Sequence, residues 1–210
     1  MGKLPKVPAN WLDGNEPPKA GDSIDWDFIH EGSEGESSTK GYIPRVDDTS
    51  GLTIGHGVDL GSVSRQDLQK WGASPELITS LSPYLGKKGA EARAFLTDPN
   101  DKESGPLSIS EADAALLTNG ARNRSVGELA NVYQSATGKS FYDLSPAQQT
   151  VLADIDYQTG PTGLRKSFAH GQFWNNVVND DWHGARDVLQ TMKTGFKSRR
   201  KREADLLDGY

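Results

Sequence analysis

The stretch G51-L-T-I-G-H-G-V-D-L-G61 places four glycines around Thr53, His56 and Asp59. Three interpretations are open for it. It is a metal loop built on His56 and Asp59, a glycine loop that cradles a phosphate, or a strand and turn that line a catalytic cleft. The remainder of the sequence discriminates among these three kinds of site.

The metal and phosphate interpretations find little support elsewhere in the chain. A metal site needs ligands at regular spacing, whereas the other histidines, His30, His170 and His183, are scattered. A phosphate loop opens a helix and is typically followed by lysine, but this stretch is β-prone and contains no lysine. We therefore predict neither a metal nor any other cofactor.

The composition is that of a globular protein. The chain has 210 residues and 17 aromatic side chains (five Trp, six Tyr and six Phe), enough for one large domain or two small ones. No apolar run approaches the roughly 20 residues that span a bilayer, and no secretory signal is visible, so we expect no membrane insertion. The absence of cysteine excludes disulfides and thiolate catalysis.

The charge argues against nucleic acid as a partner. The formal net charge is −6, whereas phosphate binding requires a basic face. One basic run exists over residues 197–202, KSRRKR, and it is followed by the acidic and apolar EADLL. We predict that this run belongs to a solvated closing helix rather than to a nucleic-acid tail.

The positions of proline and glycine divide the chain into segments. Residues 1–22 contain four prolines and no periodicity, which predicts a linker or arm before a domain at 23–210. Ser23 or Asp25 is predicted to cap a short helix that runs to Glu31 and stops at Gly32.

The segment from Gly41 to Leu60 differs from the rest. GYIPRV and LTIGHGV are β-prone runs on either side of the turn sequence VDDTSG, which predicts a small hairpin sheet. Apart from a loop at 98–108, the later segments carry caps and helical periodicity: 62–72, 74–86, 89–98, 108–138, 145–160, 171–192 and 198–210. The predicted class is α+β, a small lobe with a β-hairpin or three-stranded sheet and a larger, mostly helical lobe, with a cleft between them.

Acidic residues surround the predicted hairpin. They are Glu31, Glu34, Asp47, Asp48 and Asp59. Glycoside hydrolysis needs one carboxylic acid to protonate the leaving oxygen and a second carboxylate to act on the opposite side. From the residues alone the pattern is weak, since acidic side chains near turns are usually solvated and Asp47 and Asp48 suit turn chemistry.

The order of several motifs is more specific. Glu-Gly, then GYIP, then SGLTIGHGVDLG resembles the phage-type lysozymes, in particular the pesticin-like toxin lysozymes. The similarity extends through residues 144–163, LSPAQQTVLADIDYQTGPTG, and through the closing helices, so that it covers the chain from about residue 23 onward. The resemblance implies a lysozyme-like fold in which Thr53 and Asp59 project from the hairpin and glycines let the strand bend close to a sugar chain.

The resemblance also implies roles for individual residues. The general acid is a Glu before Gly: Glu31 precedes the helix-stopping Gly32, whereas Glu34 has the better distance to the GYIP strand. The second carboxylate is Asp59, six residues after Thr53 as in the toxin type, or Asp47, six before it as in the phage type. The complete GHGVDLG match favours Asp59, with Thr53 sharing the water.

Further contacts follow from the same resemblance. His56, Tyr157 and Gln158 are expected to bind substrate. The implied reaction is inverting hydrolysis of the β-1,4 bond between N-acetylmuramic acid and N-acetylglucosamine in peptidoglycan, with carboxylates about 6.5 to 9.5 Å apart. A non-catalytic peptidoglycan-binding module and a lytic transglycosylase remain as alternatives.

The biological setting implied is attack on a bacterial cell wall. We expect a monomer that is made in the cytoplasm and delivered to the periplasm or wall of a target bacterium, as a secreted effector, a bacteriocin or a phage endolysin. If the protein is an antibacterial toxin, an immunity protein is expected to plug its cleft.

Overall fold

The structure, a computed structural model, describes six stretches of the chain: 23–31, 38–44, 50–97, 105–159, 168–192 and 196–208. The predicted arm over residues 1–22 lies outside them, as do Glu34, Asp47 and Asp48. Contact density divides the chain into two compact units. Of the described residues, we call 38–44, 50–97 and 105–122 the hairpin unit, and 23–31, 123–159, 168–192 and 196–208 the helical unit.

The hairpin unit contains an antiparallel sheet in the order β1-β2-β3. Its strands are β1 (Ser38–Tyr42), β2 (Thr53–Gly55) and β3 (Val58–Asp59). The run LTIGHGV, predicted as one strand, is therefore two strands with a tight turn at His56 and Gly57 between them. The turn is possible because Gly55 and Gly57 have positive φ values of 61° and 78°, which favour glycine.

Strand β1 also differs from the prediction, since it begins at Ser38 rather than at Gly41. Ser38 pairs with Gly55 of β2, and the other edge of β1 has a long-range partner. Gly41 N–H donates to Leu107 O at 2.9 Å, and Ile109 N–H donates to Thr39 O at 2.9 Å. Residues 107–109 thus extend one edge of the sheet, and the sequence-based loop at 98–108 ends in a paired segment.

Three short helices and the beginning of a long one complete the hairpin unit. They are α2 (Arg65–Lys70), α3 (Pro75–Leu81), α4 (Gly89–Thr97) and α5 (Glu111–Thr137). Ser64 and Ser74 accept hydrogen bonds from the amides of Asp67 and Leu77, the N-cap arrangement that their sequence pattern predicts. The apolar side of the sheet packs on these helices in a core that includes Leu52, Ile54, Val58, Leu60, Leu68, Leu81 and Leu117.

The helical unit is built from the second half of α5 and five further helices. These are α1 (Trp26–Glu31), α6 (Pro146–Thr159), α7 (Phe168–Val178), α8 (Trp182–Thr191) and α9 (Lys197–Leu207). Their core includes Ile29, Leu129, Phe141, Val151, Leu152, Ile155, Phe173 and Leu189. Helix α1 begins after Asp25, whose carboxylate accepts from the Phe28 amide at 2.8 Å, as predicted for a cap.

Two predictions for this unit are wrong in part. The segment 171–192 was expected to be one helix, but it breaks at Asp180, which has φ of 61°, and restarts after Asp181, which caps α8. Aspartate tolerates the left-handed region better than most residues. The closing helix α9 is not solvated throughout, because Arg199, Arg200 and Glu203 are buried.

The two units together confirm the α+β class, with a small three-stranded sheet and a predominance of helix. Over the stretches that the structure describes, none of the helices combines the length and apolar character that crossing a membrane requires.

Candidate active site

Thr53 and Asp59 face each other across the hairpin. They are direct partners in the antiparallel register of β2 and β3, and directly opposed residues project to the same side of a sheet. Thr53 is buried, with 4% of its surface exposed, whereas Asp59 is half-buried. The short turn at His56 and Gly57 brings together two side chains that are six positions apart in the sequence.

The Asp59 carboxylate is fixed by its own hairpin. Its Oδ1 accepts from the backbone amides of Gly51 and Gly61, each at 2.8 Å, and its Oδ2 accepts from the Ser62 hydroxyl at 3.0 Å. Gly51 and Gly61 are the first and last residues of the glycine-rich stretch 51–61, so this one carboxylate links the two ends of that stretch. An ionised carboxylate offers about four lone-pair sites. Three donors among the described residues leave room for a further one, such as water.

The glycines serve close packing within the protein. A Cβ at Gly51 would lie 2.4 Å from the Lys87 carbonyl oxygen, and one at Gly61 would lie 2.6 Å from the same oxygen. A Cβ at Gly55 would meet the Thr118 hydroxyl at 2.6 Å. At these three positions the missing side chain allows approach to the protein's own backbone and to α5, and the expected approach of a sugar chain stays a prediction.

His56 lies in the turn and is half-buried. Its backbone amide donates to the Thr118 hydroxyl at 3.1 Å, and that hydroxyl donates to the Ala114 carbonyl at 2.8 Å. These bonds anchor the turn on α5. No cluster of three or more His, Cys, Asp or Glu side chains suited to a metal occurs among the residues described. The role of His56 as a substrate contact stays a prediction.

Glu31 is the last residue of α1 in the helical unit. Its side chain is 75% exposed, and its Oε2 lies 3.2 Å from Arg202 Nη2. The same guanidinium donates to the Phe28 carbonyl at 3.2 Å and lies over the Phe28 ring, 4.6 Å from its centroid. Sequence reasoning missed Arg202. The only signal for it was the basic run, which was interpreted as solvated.

Tyr157 and Gln158 lie in the last turn of α6, in the same unit as Glu31. Tyr157 packs edge-on against Trp26, with ring centroids 6.2 Å apart, and Trp26 stacks on His30 at 6.3 Å. The Gln158 amide oxygen accepts a hydrogen bond from Arg200. The structure therefore brings Tyr157 next to the helix that carries Glu31. It also occupies the side-chain oxygen of Gln158, whose role in binding substrate remains a prediction.

A buried cluster of charged residues, which was not predicted from the sequence, lies in the same unit. It consists of Asp154, Arg199, Arg200 and Glu203, none of them more than 6% exposed. Arg199 pairs with Asp154, and Arg200 pairs with Glu203 at 2.9 Å. Burial raises the pKa of the Glu203 carboxyl to about 9, against the opposing effect of Arg200, and the nearby Asp154 carboxylate adds to the rise.

The predicted site residues that the structure describes therefore fall into two groups. Thr53, His56 and Asp59 lie together in the hairpin unit, and Glu31, Tyr157 and Gln158 lie together in the helical unit. Of the two candidate acids, Glu31 is described and Glu34 is not.

Comparison with known families adds a finding to this geometry. Residues 23–183, well over half of the chain, match a family described as "Pesticin: Bacterial toxin homologue of phage lysozyme, C-term". The chain belongs to the pesticin family. The resemblance to pesticin-like lysozymes is thereby confirmed, and no curated protein matches the chain. A pesticin-family chain is a lysozyme-like toxin domain, and its chemistry belongs in general terms to the glycoside hydrolases.

Proposed function

We propose that this pesticin-family domain is a muramidase that hydrolyses the β-1,4 bond between N-acetylmuramic acid and N-acetylglucosamine in peptidoglycan. The observation that carries the proposal is the Thr53–Asp59 pair, directly opposed on the hairpin, with the Asp59 carboxylate held by two backbone amides. Such a preorganised carboxylate beside a hydroxyl is suited to holding a water for attack on a sugar.

In the proposed reaction Glu31 is the general acid and gives its proton to the leaving glycosidic oxygen. Asp59 and Thr53 orient the water and Asp59 takes up its proton, while the water oxygen bonds to the anomeric carbon and inverts its configuration. Support for Glu31 comes from its place as the last residue of α1, directly before Gly32 in the sequence. Tyr157, Gln158 and His56 are proposed to contact the glycan.

A general acid must carry a proton when the substrate is bound. In the free protein the Glu31 side chain is 75% exposed and its Oε2 lies 3.2 Å from Arg202 Nη2. The proposal therefore requires bound sugar rings to shield Glu31 from water and from Arg202, because desolvation favours the neutral acid.

We further propose that the protein acts as a monomer in the periplasm or cell wall of a target bacterium, where an immunity protein could block the toxin. Delivery as a secreted effector or bacteriocin is consistent with membership in a toxin family. An endolysin is the alternative route to the same substrate.

The test is mass spectrometry of the soluble products released from purified peptidoglycan by wild type, Glu31→Gln and Glu34→Gln. We expect reducing muropeptides from wild type and their loss in Glu31→Gln, since an amide cannot donate the proton. Loss in Glu34→Gln instead would transfer the acid role to Glu34. Glu128→Gln, an exposed glutamate on α5, is the matched control and should retain full activity.

A lytic transglycosylase is the second candidate, favoured by one observation. The Asp59 carboxylate already accepts three hydrogen bonds, so it could serve the hairpin alone, and a transglycosylase needs the acid but no carboxylate that activates water. Anhydro-muropeptides would identify this reaction. A folded wild type that binds peptidoglycan without releasing products would be a binding module, and the catalytic assignments would fall.

A further inference from the structure

Helix α1 is too short to hold Glu31 in place by itself. It has six residues, and isolated helices shorter than about 12 residues are marginal in water. The last four carbonyls of any helix also lack partners within the helix. Its beginning is anchored by the Asp25 cap and by a bond of 2.9 Å from the Asp25 amide to the Thr150 hydroxyl on α6.

Two arginines of α9 supply the partners at the other end. Arg199 Nη2 donates to the Ile29 carbonyl at 3.3 Å, and Arg202 Nη2 donates to the Phe28 carbonyl at 3.2 Å. The two arginines are three positions apart and therefore lie on one side of α9. They cap two consecutive carbonyls in the last turn of α1, which ends at Glu31.

Arg199 is itself immobilised. Its Nε lies 3.0 Å from both carboxylate oxygens of Asp154, and its Nη2 makes a second contact with Asp154 Oδ1. Only 7% of the Arg199 side chain and 1% of the Asp154 side chain are exposed. This two-pronged pairing is the geometry that a planar guanidinium favours. It leaves the second N–H of Arg199 Nη2 directed at the Ile29 carbonyl of α1.

Arg202 connects the backbone of α1 with the Glu31 carboxylate. Its guanidinium makes three contacts with that helix: the Phe28 carbonyl, the Phe28 ring and Glu31 Oε2. The ring and the carbonyl hold the guanidinium in place even when the carboxylate turns toward another partner. The bond from Arg199 to the helix goes instead to a backbone carbonyl, that of Ile29.

We propose that Arg199 and Arg202 are positioning residues that hold the last turn of α1 and thereby fix where Glu31 is presented. The proposal rests on the proposed function, in which Glu31 is the general acid. Misplacement of a catalytic group lowers the rate of the chemical step more than it lowers binding, so kcat rather than KM should respond.

The variants Arg199→Lys and Arg202→Lys test this. Lysine keeps a positive charge beside Asp154 and Glu31, but its single ammonium cannot reproduce the planar fork that reaches both a carboxylate and a carbonyl. Arg186→Lys is the matched control, since the Arg186 guanidinium bridges Asp187 and Asp208, both at 2.7 Å, on α8 and after α9. Unfolding midpoints are recorded for all three variants.

Two readouts are needed: kcat and KM on soluble, uncross-linked peptidoglycan strands, and deuterium exchange of the amides in residues 23–31. We expect kcat to fall between about 10- and 100-fold with KM within about twofold, and exchange in α1 to accelerate. Arg186→Lys should change neither. Unchanged exchange in α1 for both variants would overturn the proposal, as would a loss confined to KM.

Failure of the proposed function can be told apart from failure of this proposal. If wild type releases no reducing muropeptides, the muramidase assignment falls, while the exchange rates still decide whether the arginines hold α1. If Arg199→Lys does not fold, Arg202→Lys decides, because the Arg202 side chain is 35% exposed and its replacement leaves the buried cluster intact.

Discussion

The Asp59 and Glu31 carboxylates are held in opposite ways. Asp59 receives its hydrogen bonds from residues that are two, three and eight positions away in the sequence. Glu31 is reached by an arginine that is 171 positions away, and the helix that carries it is capped by arginines 170 and 174 positions from the carbonyls they bind. One side of the proposed chemistry is organised locally and the other through the folded core of the helical unit.

This difference has physical consequences. A local hairpin forms its hydrogen bonds with little cost in loop-closure entropy, whereas bonds between distant residues exist only once the intervening chain has folded. We therefore expect damage to the helical core to displace α1 and Glu31 while the hairpin around Asp59 survives. Replacement of Asp59 should instead abolish the activity and leave the fold intact.

The largest effect at a single pH is expected from Asp154→Ala. The change leaves the guanidinium of Arg199 buried without its carboxylate, and breaking a buried pair in this way typically costs about 3–5 kcal/mol of unfolding free energy. Chemical denaturation measures the loss. Deuterium exchange should accelerate in residues 23–31 and stay unchanged in residues 51–61. This result would show that the position of Glu31 depends on the helical core and that the hairpin around Asp59 does not.

The matched control for Asp154→Ala is Asp187→Ala. The Asp187 side chain is 62% exposed in its pair with Arg186, and exposed pairs contribute little to stability. Its unfolding midpoint should match that of wild type. Equal destabilisation by the two substitutions would contradict the structural role assigned to the buried cluster.

The next largest effect is expected from Asp59→Asn, and it should appear in activity. The amide oxygen can still accept from Gly51 and Gly61, so the hairpin should remain intact, but the side chain can no longer act as a base. We expect kcat to fall at least about 100-fold with the unfolding midpoint preserved. The release of reducing muropeptides is the assay.

Asp59→Ala, which also loses the two amide bonds, provides the comparison for Asp59→Asn. If Asn retains activity and Ala loses both activity and stability, Asp59 is a structural residue of the hairpin. That result would favour the transglycosylase, since Asp59 would then not activate water.

The same contrast explains what the sequence could predict. The Thr53–Asp59 pairing lies within eleven residues, and the glycines and turn signals that create it are part of the motif. The Ser64 and Ser74 caps are likewise local signals, and the helices that follow them were predicted correctly. Local chemistry determined these elements, and local reasoning could find them.

Long-range partners account for what the sequence did not reveal. In the run KSRRKR every residue except Ser198 is cationic, so hydropathy does not indicate which side of the helix is buried. Arg199 is buried because Asp154, 45 positions away, is there to pair with it. The early start of β1 has the same origin, since Ser38 pairs with Gly55 of β2 and the other edge of β1 bonds to residues 107–109.

The pH dependence of stability provides a third prediction. Because burial raises the pKa of Glu203 to about 9 from 4.5, the folded state holds a proton that the unfolded state releases. The stabilisation is fully present below pH 4.5 and is lost as the pH rises through about 9. In Glu203→Gln this loss should disappear, so the wild type should weaken relative to the variant by about 1 kcal/mol per pH unit between these limits.

Denaturation of both proteins at several pH values measures the difference. Glu128→Gln serves as the control, because Glu128 is exposed on α5, and its curve should run parallel to that of wild type. Parallel curves for Glu203→Gln and wild type would mean that Glu203 is ionised in the folded protein. The buried cluster behind Glu31 would then carry one more negative charge than proposed.

The smallest effect is expected from Ser62→Ala, which removes the hydroxyl that donates to Asp59 Oδ2. Ser62 is exposed, so water can replace its hydroxyl, and the two backbone amides still orient the carboxylate. We expect unfolding free energy within about 0.5 kcal/mol of wild type and kcat within about threefold, as for Ser80→Ala on α3. A tenfold loss of kcat in Ser62→Ala alone would show that the hydroxyl, rather than the backbone of the hairpin, sets the direction of the Asp59 carboxylate. The orientation of Asp59 would then depend on one replaceable side chain, as that of Glu31 depends on Arg202.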